Sequence, residues 1–340
     1  MIYLFSIKIN SLIALFRFSL LLLIVFFANT LTSEELYKNN HNLNGDDSTF
    51  KDFIKWQLNS SNPTRVSIEV SDEFNASTNL PDKYSVWIGH SSFLINNGDI
   101  NILVDPIYSK RASPLSFIGP KRLIPPGVDF NKLPSIDIVA VSHSHYDHLD
   151  LPTLTRLYKR NNETLFLVPM KVGKLLKSSG ITNVVELNWW DTISINKSLI
   201  TFVPVHHWSS RTPFDKNKTL WGGWWIETND IKIVHLGDTG YTHDFKLINS
   251  ELGSPDIAFI PIGAYEPRDI MKDSHLNPSE AIQTAIDLNA GKAIGMHWGT
   301  FTLTDEPVKD PPRILNLELQ NRGLDNLFII PKPGEIISLE

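Results

Sequence analysis

The chain of 340 residues is long enough for one large domain or two ordinary ones, and its 42% hydrophobic residues are ample for a packed core. Its net charge of −6 comes from interspersed acidic and basic residues, without the basic stripe that binds nucleic-acid phosphates, so no nucleic-acid partner is expected. The chain has no cysteine. Disulfides, thiolate metal ligands and a cysteine-linked lipid anchor are therefore excluded, and any metal must be held by imidazole and carboxylate groups.

The first 30 residues differ in composition from the rest. Lys8 and Arg17 precede a largely apolar run at 18–28, and a polar stretch follows it. This order is typical of a secretory signal peptide, although residues 12–28 are just long enough to cross a bilayer if the Arg17 side chain reaches the interface. We expect residues 1–30 to be a signal peptide or an N-terminal membrane anchor, and the protein to be exported and periplasmic or membrane-associated. A buried helix is the remaining alternative.

The next segment, residues 31–49, is rich in Asn, Asp, Glu and Ser and lacks hydrophobic periodicity. These features predict a solvated polar linker, so the folded domain is expected to span residues 50–340. A lone histidine is usually structural or exposed, and His41 in this linker has no predicted site role. The apolar positions in 50–58 predict a short amphipathic helix at the start of the domain.

From Tyr84 onward, short runs rich in β-branched and aromatic residues alternate with helix-like segments. Strands are predicted over residues 84–88, 92–95, 101–104, 136–141, 165–168, 199–205, 221–227, 231–236, 257–260, 293–296 and 327–330. Helices are predicted over 151–159, 171–178, 279–288 and 311–321. Two sets of strands with interspersed helices indicate a layered α/β sandwich. The sequence gives no prediction of oligomeric state.

The predicted strand at 136–141 runs into a polar loop that contains His143, His145, Asp147 and His148. Side chains at His143 and His145 can converge on one metal ion, while Asp147 and His148 lie further along the loop and can reach a neighbouring ion. Each ion would then have an incomplete set of ligands, because catalytic zinc sites usually carry at least three protein groups and a water. Further ligands must come from elsewhere in the chain.

Three other strand ends offer such ligands: His206 and His207 follow the strand at 199–205, Asp238 follows that at 231–236, and His297 follows that at 293–296. A carboxylate can bridge two divalent ions about 3.5–4 Å apart, and we assign this role to Asp238. Spacing alone does not choose between His206 and His207. Because imidazole and carboxylate also suit iron and manganese, the residues do not identify the metal.

The loop resembles the His-x-His-x-Asp-His motif of the metallo-β-lactamase superfamily. The chain is most similar to the branch of N-acyl-phosphatidylethanolamine-hydrolysing phospholipase D and its bacterial relatives. Matching segments run in order at 87–90, 105–106, 111–114, 119–122, 142–150, 207–212, 237–241, 260–268 and 297–301. The resemblance implies a four-layer αββα sandwich. The long matches are far more specific evidence for this family than residues 142–150 alone, which we call the metal loop.

The resemblance also implies how two divalent ions, expected to be Zn²⁺, are shared among the ligands. One ion would be held by His143, His145 and His207, the other by Asp147, His148 and His297, with Asp238 shared. It favours His207 over His206, because in this branch the ligand directly precedes a tryptophan, here Trp208.

Three further polar residues are candidates around this site. Asp105 follows a strand and is expected to orient a ligand imidazole through its second nitrogen, the alternative being a turn-forming role before Pro106. His90 is a weaker candidate of the same kind. The resembling branch has a substrate-side histidine where this chain has His275, which implies a role in substrate binding or leaving-group protonation, against a structural role at the start of the following helix.

The function implied by the resemblance is a binuclear phosphodiesterase of the phospholipase D type, in which Asp147, Asp238 and His275 take part in catalysis. Its substrate would be N-acyl-phosphatidylethanolamine, cut to phosphatidic acid and N-acylethanolamine at a membrane surface. One alternative is hydrolysis of a lactone or another small ester or phosphodiester at the same metals. Another is a non-catalytic metal-binding or lipid-binding protein, against which the intact ligand set argues.

Overall fold

The computed structural model describes residues 36–41 and 67–339. From Tyr37 on they belong to one compact unit, Tyr37–Glu340. The predicted signal peptide or anchor at 1–30 and the predicted helix at 50–58 lie outside the described residues. No helix in the described part of the chain combines the length and the apolar character needed to cross a bilayer.

Two seven-stranded mixed sheets form the centre of the unit. The first contains β1 (Tyr84–Gly89), β2 (Ser92–Asn96), β3 (Asn101–Val104), β4 (Ile138–Ala140), β5 (Leu165–Pro169), β6 (Val184–Leu187) and β14 (Ile336–Ser338), in the order β14-β1-β2-β3-β4-β5-β6. The second contains β7 (Thr192–Ile195), β8 (Ser198–Val203), β9 (Gly223–Glu227), β10 (Lys232–His235), β11 (Ile257–Pro261), β12 (Lys292–Met296) and β13 (Phe328–Ile329), in the order β13-β12-β11-β10-β9-β8-β7.

Helices cover the outer faces of both sheets. They are α1 (Glu73–Ala76), α2 (Leu151–Arg160), α3 (Gly173–Ser178), α4 (Asp244–Leu252), α5 (Arg268–Met271), α6 (Pro278–Asp287) and α7 (Asp310–Arg322). The start of α6 is set by a capping box, in which Asn277 and Glu280 each accept the other's backbone N–H. One 3₁₀ turn, Phe130–Lys132, precedes β4.

Three hydrophobic clusters define the layers. The central cluster takes side chains from the facing sides of both sheets, among them Phe93 and Phe259, whose ring centroids are 4.5 Å apart. A second cluster packs the first sheet against α2 and α3, and a third packs the second sheet against α4, α6 and α7. Successive side chains of a strand point to opposite faces of its sheet. In β3, for example, Ile102 contributes to the central cluster and its neighbour Leu103 to the cluster that faces the helices. The predicted αββα sandwich is confirmed.

The strands that the sequence did not predict pair at the edges of the sheets. β6 and β7 end the two sheets, and β14 pairs with β1. Their side chains are largely half-buried or exposed, so they lack the long apolar runs of the central strands. Helix α4 was also not predicted from the sequence, because its apolar residues do not all lie on the buried face. Phe245 and Ile248 are buried, whereas Leu247 is 38% exposed.

The folded unit starts earlier than the predicted boundary at residue 50. Tyr37, within the predicted linker 31–49, packs against the central cluster, and its backbone N–H donates to the carbonyl of Asn217 at 2.9 Å. Asn40 donates to the Asp244 carboxylate at 3.1 Å. Residues 37–41 thus differ from a solvated linker, because their polar side chains have specific partners in the domain.

Candidate metal centre

The predicted ligands converge from strand ends of both sheets. His143 lies in the loop after β4, His207 after β8, Asp238 after β10 and His297 after β12. All four are at most 3% exposed, so their polar atoms need partners other than bulk water. Gly237 allows this convergence, because at its φ of 63° a Cβ would lie only 2.6 Å from the Cβ of Ser142.

The first group of ligand atoms contains His143, His145 and His207. His145 Nδ1 lies 2.8 Å from His143 Nε2 and 3.3 Å from His207 Nε2. A tetrahedral zinc ion with bonds of about 2.1 Å separates its ligand atoms by about 3.4 Å. The three nitrogens lie within 4.8 Å of one another, which is close enough for one ion to reach all three after small shifts of the rings.

The second group contains Asp147, His148 and His297. Asp147 Oδ2 lies 3.6 Å from His148 Nε2 and 3.7 Å from His297 Nε2. His206, the alternative to His207, is not part of any cluster of potential metal ligands among the described residues. The structure thus brings together the two sets of three residues that the sequence resemblance implied.

Asp238 lies between the two groups. Its Oδ2 is 4.0 Å from His143 Nε2 and 3.8 Å from His207 Nε2 on one side, and 3.1 Å from His148 Nε2 on the other. Its Oδ1 is 3.0 Å from His297 Nε2. One carboxylate is therefore within reach of both groups, which is the geometry that a bridging ligand needs.

Unpartnered polar atoms provide a test of whether a metal fits. His148 Nε2, His297 Nε2 and Asp238 Oδ1 are buried, and none of them makes a hydrogen bond of normal geometry among the described residues, although Asp238 lies 3.0 Å from His297 Nε2 and 3.1 Å from His148 Nε2. Each such atom costs about 1–3 kcal/mol, or more if charged. All three point into the cluster and are of the donor types that zinc prefers. A bound divalent cation would give all three atoms a partner.

The protonation states differ between the two groups. Burial lowers the pKa of His145 to about 4, and burial together with the neighbouring His148 holds the pKa of His143 well below its usual range. Burial also acts on His297, but the nearby Asp238 and Asp147 outweigh it and raise its pKa to about 9. The first group is therefore neutral and ready for a cation. In the second group, Asp238, Asp147 and Asp105 outweigh burial and raise the pKa of His148 well above its usual range as well, so both histidines must release a proton to bind a cation.

Asp105 makes the contact predicted for it. Its Oδ2 accepts from His148 Nδ1 at 2.7 Å, and its Oδ1 accepts from the backbone N–H of Ser142 at 2.7 Å. His90 Nε2 lies 2.8 Å from Asp147 Oδ2. Both residues, like His297, have the left-handed backbone that non-glycine residues rarely adopt, with φ of 43° at Asp105 and 57° at His90. Strained backbone of this kind often clusters at functional sites.

His275 lies at the edge of the cluster, between α5 and α6. Its Nδ1 is 4.0 Å from Asp238 Oδ2 and has no hydrogen-bond partner among the described residues. Burial lowers its pKa to about 4. Its backbone carbonyl accepts from Arg268 Nη1, and Arg268 also pairs with both oxygens of Glu280. The ring is thus held beside Asp238 without belonging to either group of three.

Two residues that hold the metal loop were not assigned roles from the sequence. Arg211 Nη1 donates to the carbonyls of Ser144 and Leu149, at 2.8 and 3.0 Å. Asp150 accepts from the backbone N–H groups of Tyr108 and Ser109. Both residues lie in segments that match the family, and this match was the feature of the sequence that could have identified them.

Comparison with known proteins agrees with this geometry. The family model described as a Beta-lactamase superfamily domain matches residues 100–298. The N-acyl-phosphatidylethanolamine-hydrolyzing phospholipase D 1 of Caenorhabditis elegans is 36% identical over 279 residues, 78% of this chain and 78% of that protein. A metal-dependent hydrolase of Methanopyrus kandleri is 31% identical over 252 residues, 73% of this chain and 96% of that protein.

Solved structures share the fold. A metallo hydrolase from Ignicoccus hospitalis superposes with a TM-score of 0.58 at 22% identity, covering 76% of this chain and 99% of that one. The family model spans more than half of the chain, and its range of residues 100–298 includes the strand ends that carry the cluster. The chain therefore belongs to the metallo-β-lactamase superfamily and is a metal-dependent hydrolase of that fold.

Proposed function

We propose that the protein is a binuclear phosphodiesterase that hydrolyses N-acyl-phosphatidylethanolamine to phosphatidic acid and N-acylethanolamine. The observation that carries the proposal is the position of Asp238, whose two oxygens reach both groups of three ligand residues. The substrate rests on the similarity to the Caenorhabditis elegans phospholipase D. The alternative is a lactone or another small ester or phosphodiester hydrolysed at the same residues.

His143, His145 and His207 would hold one divalent ion and Asp147, His148 and His297 the other, with Asp238 shared and Zn²⁺ as the expected metal. The ions would supply a more acidic water and neutralise charge on the phosphoryl oxygens. We infer that the oxygen of water attacks phosphorus while the bond from phosphorus to the ethanolamine oxygen breaks. The proton that water loses is accepted by a carboxylate, and the leaving alkoxide gains a proton.

Three residues of the chain take roles in this step. Asp238 holds the attacking water between the two groups, and Asp147, beside His148 and His297, accepts its proton. His275 contacts the leaving alcohol through Nδ1, the atom that has no protein partner in the described part of the chain. These roles place the water on the Asp238 side of phosphorus and the ethanolamine oxygen within reach of His275.

We extend the proposal to action at a membrane surface. A cleft of about 720 Å³ opens beside the metal loop and is lined by Ser144 and Tyr146. Two loops on its rim end in exposed apolar side chains: Phe117 is 75% exposed and Phe214 is 85% exposed. The exposed Lys216 lies next to Phe214 and over the ring of Trp208. Two exposed apolar tips, one of them with a lysine two positions along the chain, suit a bilayer with anionic headgroups.

An assay on purified protein tests the substrate. It compares N-acyl-phosphatidylethanolamine, bis-p-nitrophenyl phosphate and a lactone panel, with the metal content measured on the same sample. In ¹⁸O-labelled water, the proposal predicts the label in phosphatidic acid and none in N-acylethanolamine. Inert lipid beside rapid lactone turnover would favour the alternative. Well under one ion per chain after reconstitution with zinc would overturn the metal assignment.

Sedimentation with vesicles tests the membrane surface. We expect the double variant Phe117→Ser/Phe214→Ser to lose binding to phosphatidylcholine vesicles that contain phosphatidylglycerol, and to keep its turnover of soluble bis-p-nitrophenyl phosphate. The control is Leu199→Ser/Leu317→Ser, which removes side chains that are 45% and 50% exposed but lie away from the cleft. Equal vesicle binding by both variants would contradict the proposed surface.

Export is part of the proposal and has a separate test. The full chain, expressed in a Gram-negative host, should appear in the periplasm or the membrane fraction. Mass spectrometry of the recovered protein separates cleavage from retention, because only a cleaved signal peptide removes the residues up to about Ala28. Recovery of the uncleaved chain from the cytoplasm alone would contradict export.

A further inference from the structure

Residues 37–41, at the start of the folded unit, contact the loop that carries His207. Tyr37 N donates to the Asn217 carbonyl at 2.9 Å. Asn217 N in turn donates to the Ser209 carbonyl, and the Asn217 side-chain Oδ1 accepts the Ser209 backbone N–H. At the other end of the segment, Asn40 and His41 both contact Asp244, at 3.1 and 3.4 Å. The segment is therefore attached at both ends, and Asn39 lies between these attachments.

Asn39 makes two contacts through one atom. Its Oδ1 accepts the backbone N–H of His207 at 3.1 Å and the indole N–H of Trp221 at 3.0 Å. The same indole nitrogen lies 3.2 Å from the carbonyl of Val205. One side-chain oxygen thus ties the backbone after β8 to the fully buried Trp221.

The His207 ring is held on its other side. Its Nδ1 lies 3.0 Å from the carbonyl of Ser274, which leaves Nε2 directed at His145 Nδ1 and Asp238 Oδ2. The Ser274 contact selects which nitrogen faces the cluster, and the Asn39 contact sets the position of the backbone from which the ring projects. Residues that orient a metal ligand in this way typically change metal affinity or activity by about 10- to 100-fold when they are removed.

We propose that Asn39 is a positioning residue for His207, although it lies before the predicted domain start. This inference rests on the proposed role of His207 as a metal ligand. Asn39 does not touch the reacting atoms and acts only through His207 and Trp221. Its removal should therefore weaken metal binding and lower kcat while leaving KM for the substrate nearly unchanged.

The test compares three variants of the full chain. Asn39→Leu removes the acceptor at nearly constant volume, and Asn39→Asp keeps it, because both contacts use Oδ1. Asn40→Leu is the matched control, since it removes the neighbouring side chain while His41 still contacts Asp244 and Asn39 stays in place. The measurements are zinc affinity by chelator competition, the visible spectrum of the Co²⁺-substituted protein, and kcat and KM.

We expect Asn39→Leu to bind one zinc ion about 10- to 100-fold more weakly and to change the Co²⁺ spectrum, with Asn39→Asp and Asn40→Leu close to the wild type. Unchanged affinity and spectrum in Asn39→Leu would overturn the inference, as would an equal loss in Asn40→Leu or in Asn39→Asp. If the wild-type protein itself binds no zinc, the proposed metal site fails as well. If it binds zinc and Asn39→Leu binds equally well, only the role of Asn39 fails.

Discussion

The carboxylate of Asp105 lies 2.7 Å from His148 Nδ1, and both residues are fully buried. The same carboxylate accepts from the backbone N–H and the hydroxyl of Ser142, at 2.7 and 2.6 Å. Asp105 therefore joins β3 to the first residues of the metal loop and directs His148 Nε2 toward Asp238. A carboxylate behind a ligand imidazole fixes the ring orientation and raises its basicity.

Replacement of Asp105 by asparagine should weaken metal binding or activity by about 10- to 100-fold, because the amide lacks the charge that orients the His148 ring. Chelator competition and steady-state kinetics measure the two effects. The control is Asp137→Asn, since Asp137 also accepts a backbone N–H, from Asn101 at 2.8 Å, but contacts none of the cluster histidines. The orienting role would be ruled out by an Asp105→Asn protein that behaves like this control.

Asp238→Asn should lower kcat by about 100-fold or more, because it removes the one charge that lies between both groups of ligands. Metal analysis is expected to show loss of at least one ion per chain. Asp230→Asn makes the same chemical change at a side chain that is 72% exposed and serves as the control. Full activity in Asp238→Asn would remove the basis for a shared carboxylate.

The raised pKa of His297 predicts that metal binding depends on pH. In the metal-free protein, Asp238 and Asp147 outweigh the effect of burial and raise the pKa of His297 from 6.5 to about 9. The charged ring stabilises the metal-free fold fully below pH 6.5, and this contribution is lost as the pH rises through 9. Since a metal needs neutral rings, affinity should rise by about tenfold per pH unit for each proton that the second group releases over this range.

Calorimetry in buffers of different ionisation enthalpy measures the protons released on zinc binding, and chelator competition follows the affinity across the same pH range. We expect about two protons to be released from the second group at neutral pH, one each from His148 and His297, and about one fewer in His297→Gln. A zinc affinity that stays constant from pH 6.5 to 9 would contradict the pKa assigned to His297.

Gly237→Ala should destabilise the metal-free protein by about 2 kcal/mol or more. Part of this cost, about 1–2 kcal/mol, comes from a side chain at the left-handed φ of 63°. The rest comes from the new Cβ, which would lie 2.6 Å from Ser142 Cβ and would displace the partner of Asp105. Gly323→Ala is the matched control, since its φ is 64° and no heavy atom lies within 4 Å of the new Cβ.

Urea unfolding of both metal-free variants measures the two free energies of unfolding. The difference between them isolates the clash with Ser142, because the backbone cost is nearly the same. Zinc affinity should fall only in Gly237→Ala. Equal destabilisation by the two substitutions would show that the metal loop moves freely to accommodate the methyl group.

Local patterns predicted the central elements well. β-branched and aromatic runs predicted β1 to β5 and β8 to β13, with boundaries that shift by up to two residues. For instance, the strand predicted at 136–141 is Ile138–Ala140, because only these residues pair with β3 and β5. The edge strands β6, β7 and β14 escaped prediction, since their pairing with a neighbouring strand, more than their own apolar pattern, stabilises them.

The sequence by itself determined the chemistry available to this protein. The absence of cysteine left imidazole and carboxylate ligands, and the strand ends placed His143, Asp238 and His297 where an α/β sandwich gathers its site. These are local properties, because they depend on residue type and on spacing within a few positions.

Only the tertiary structure decided which distant side chains meet. It placed Asp238 between the two groups of ligands and brought His207 to His145, whereas spacing alone treated His206 and His207 alike. It also brought Asn39, which lies in the segment predicted to be a solvated linker, into hydrogen-bond contact with the backbone N–H of His207, 168 positions further along the chain. Such contacts depend on how two sheets pack, and no local pattern specifies that packing.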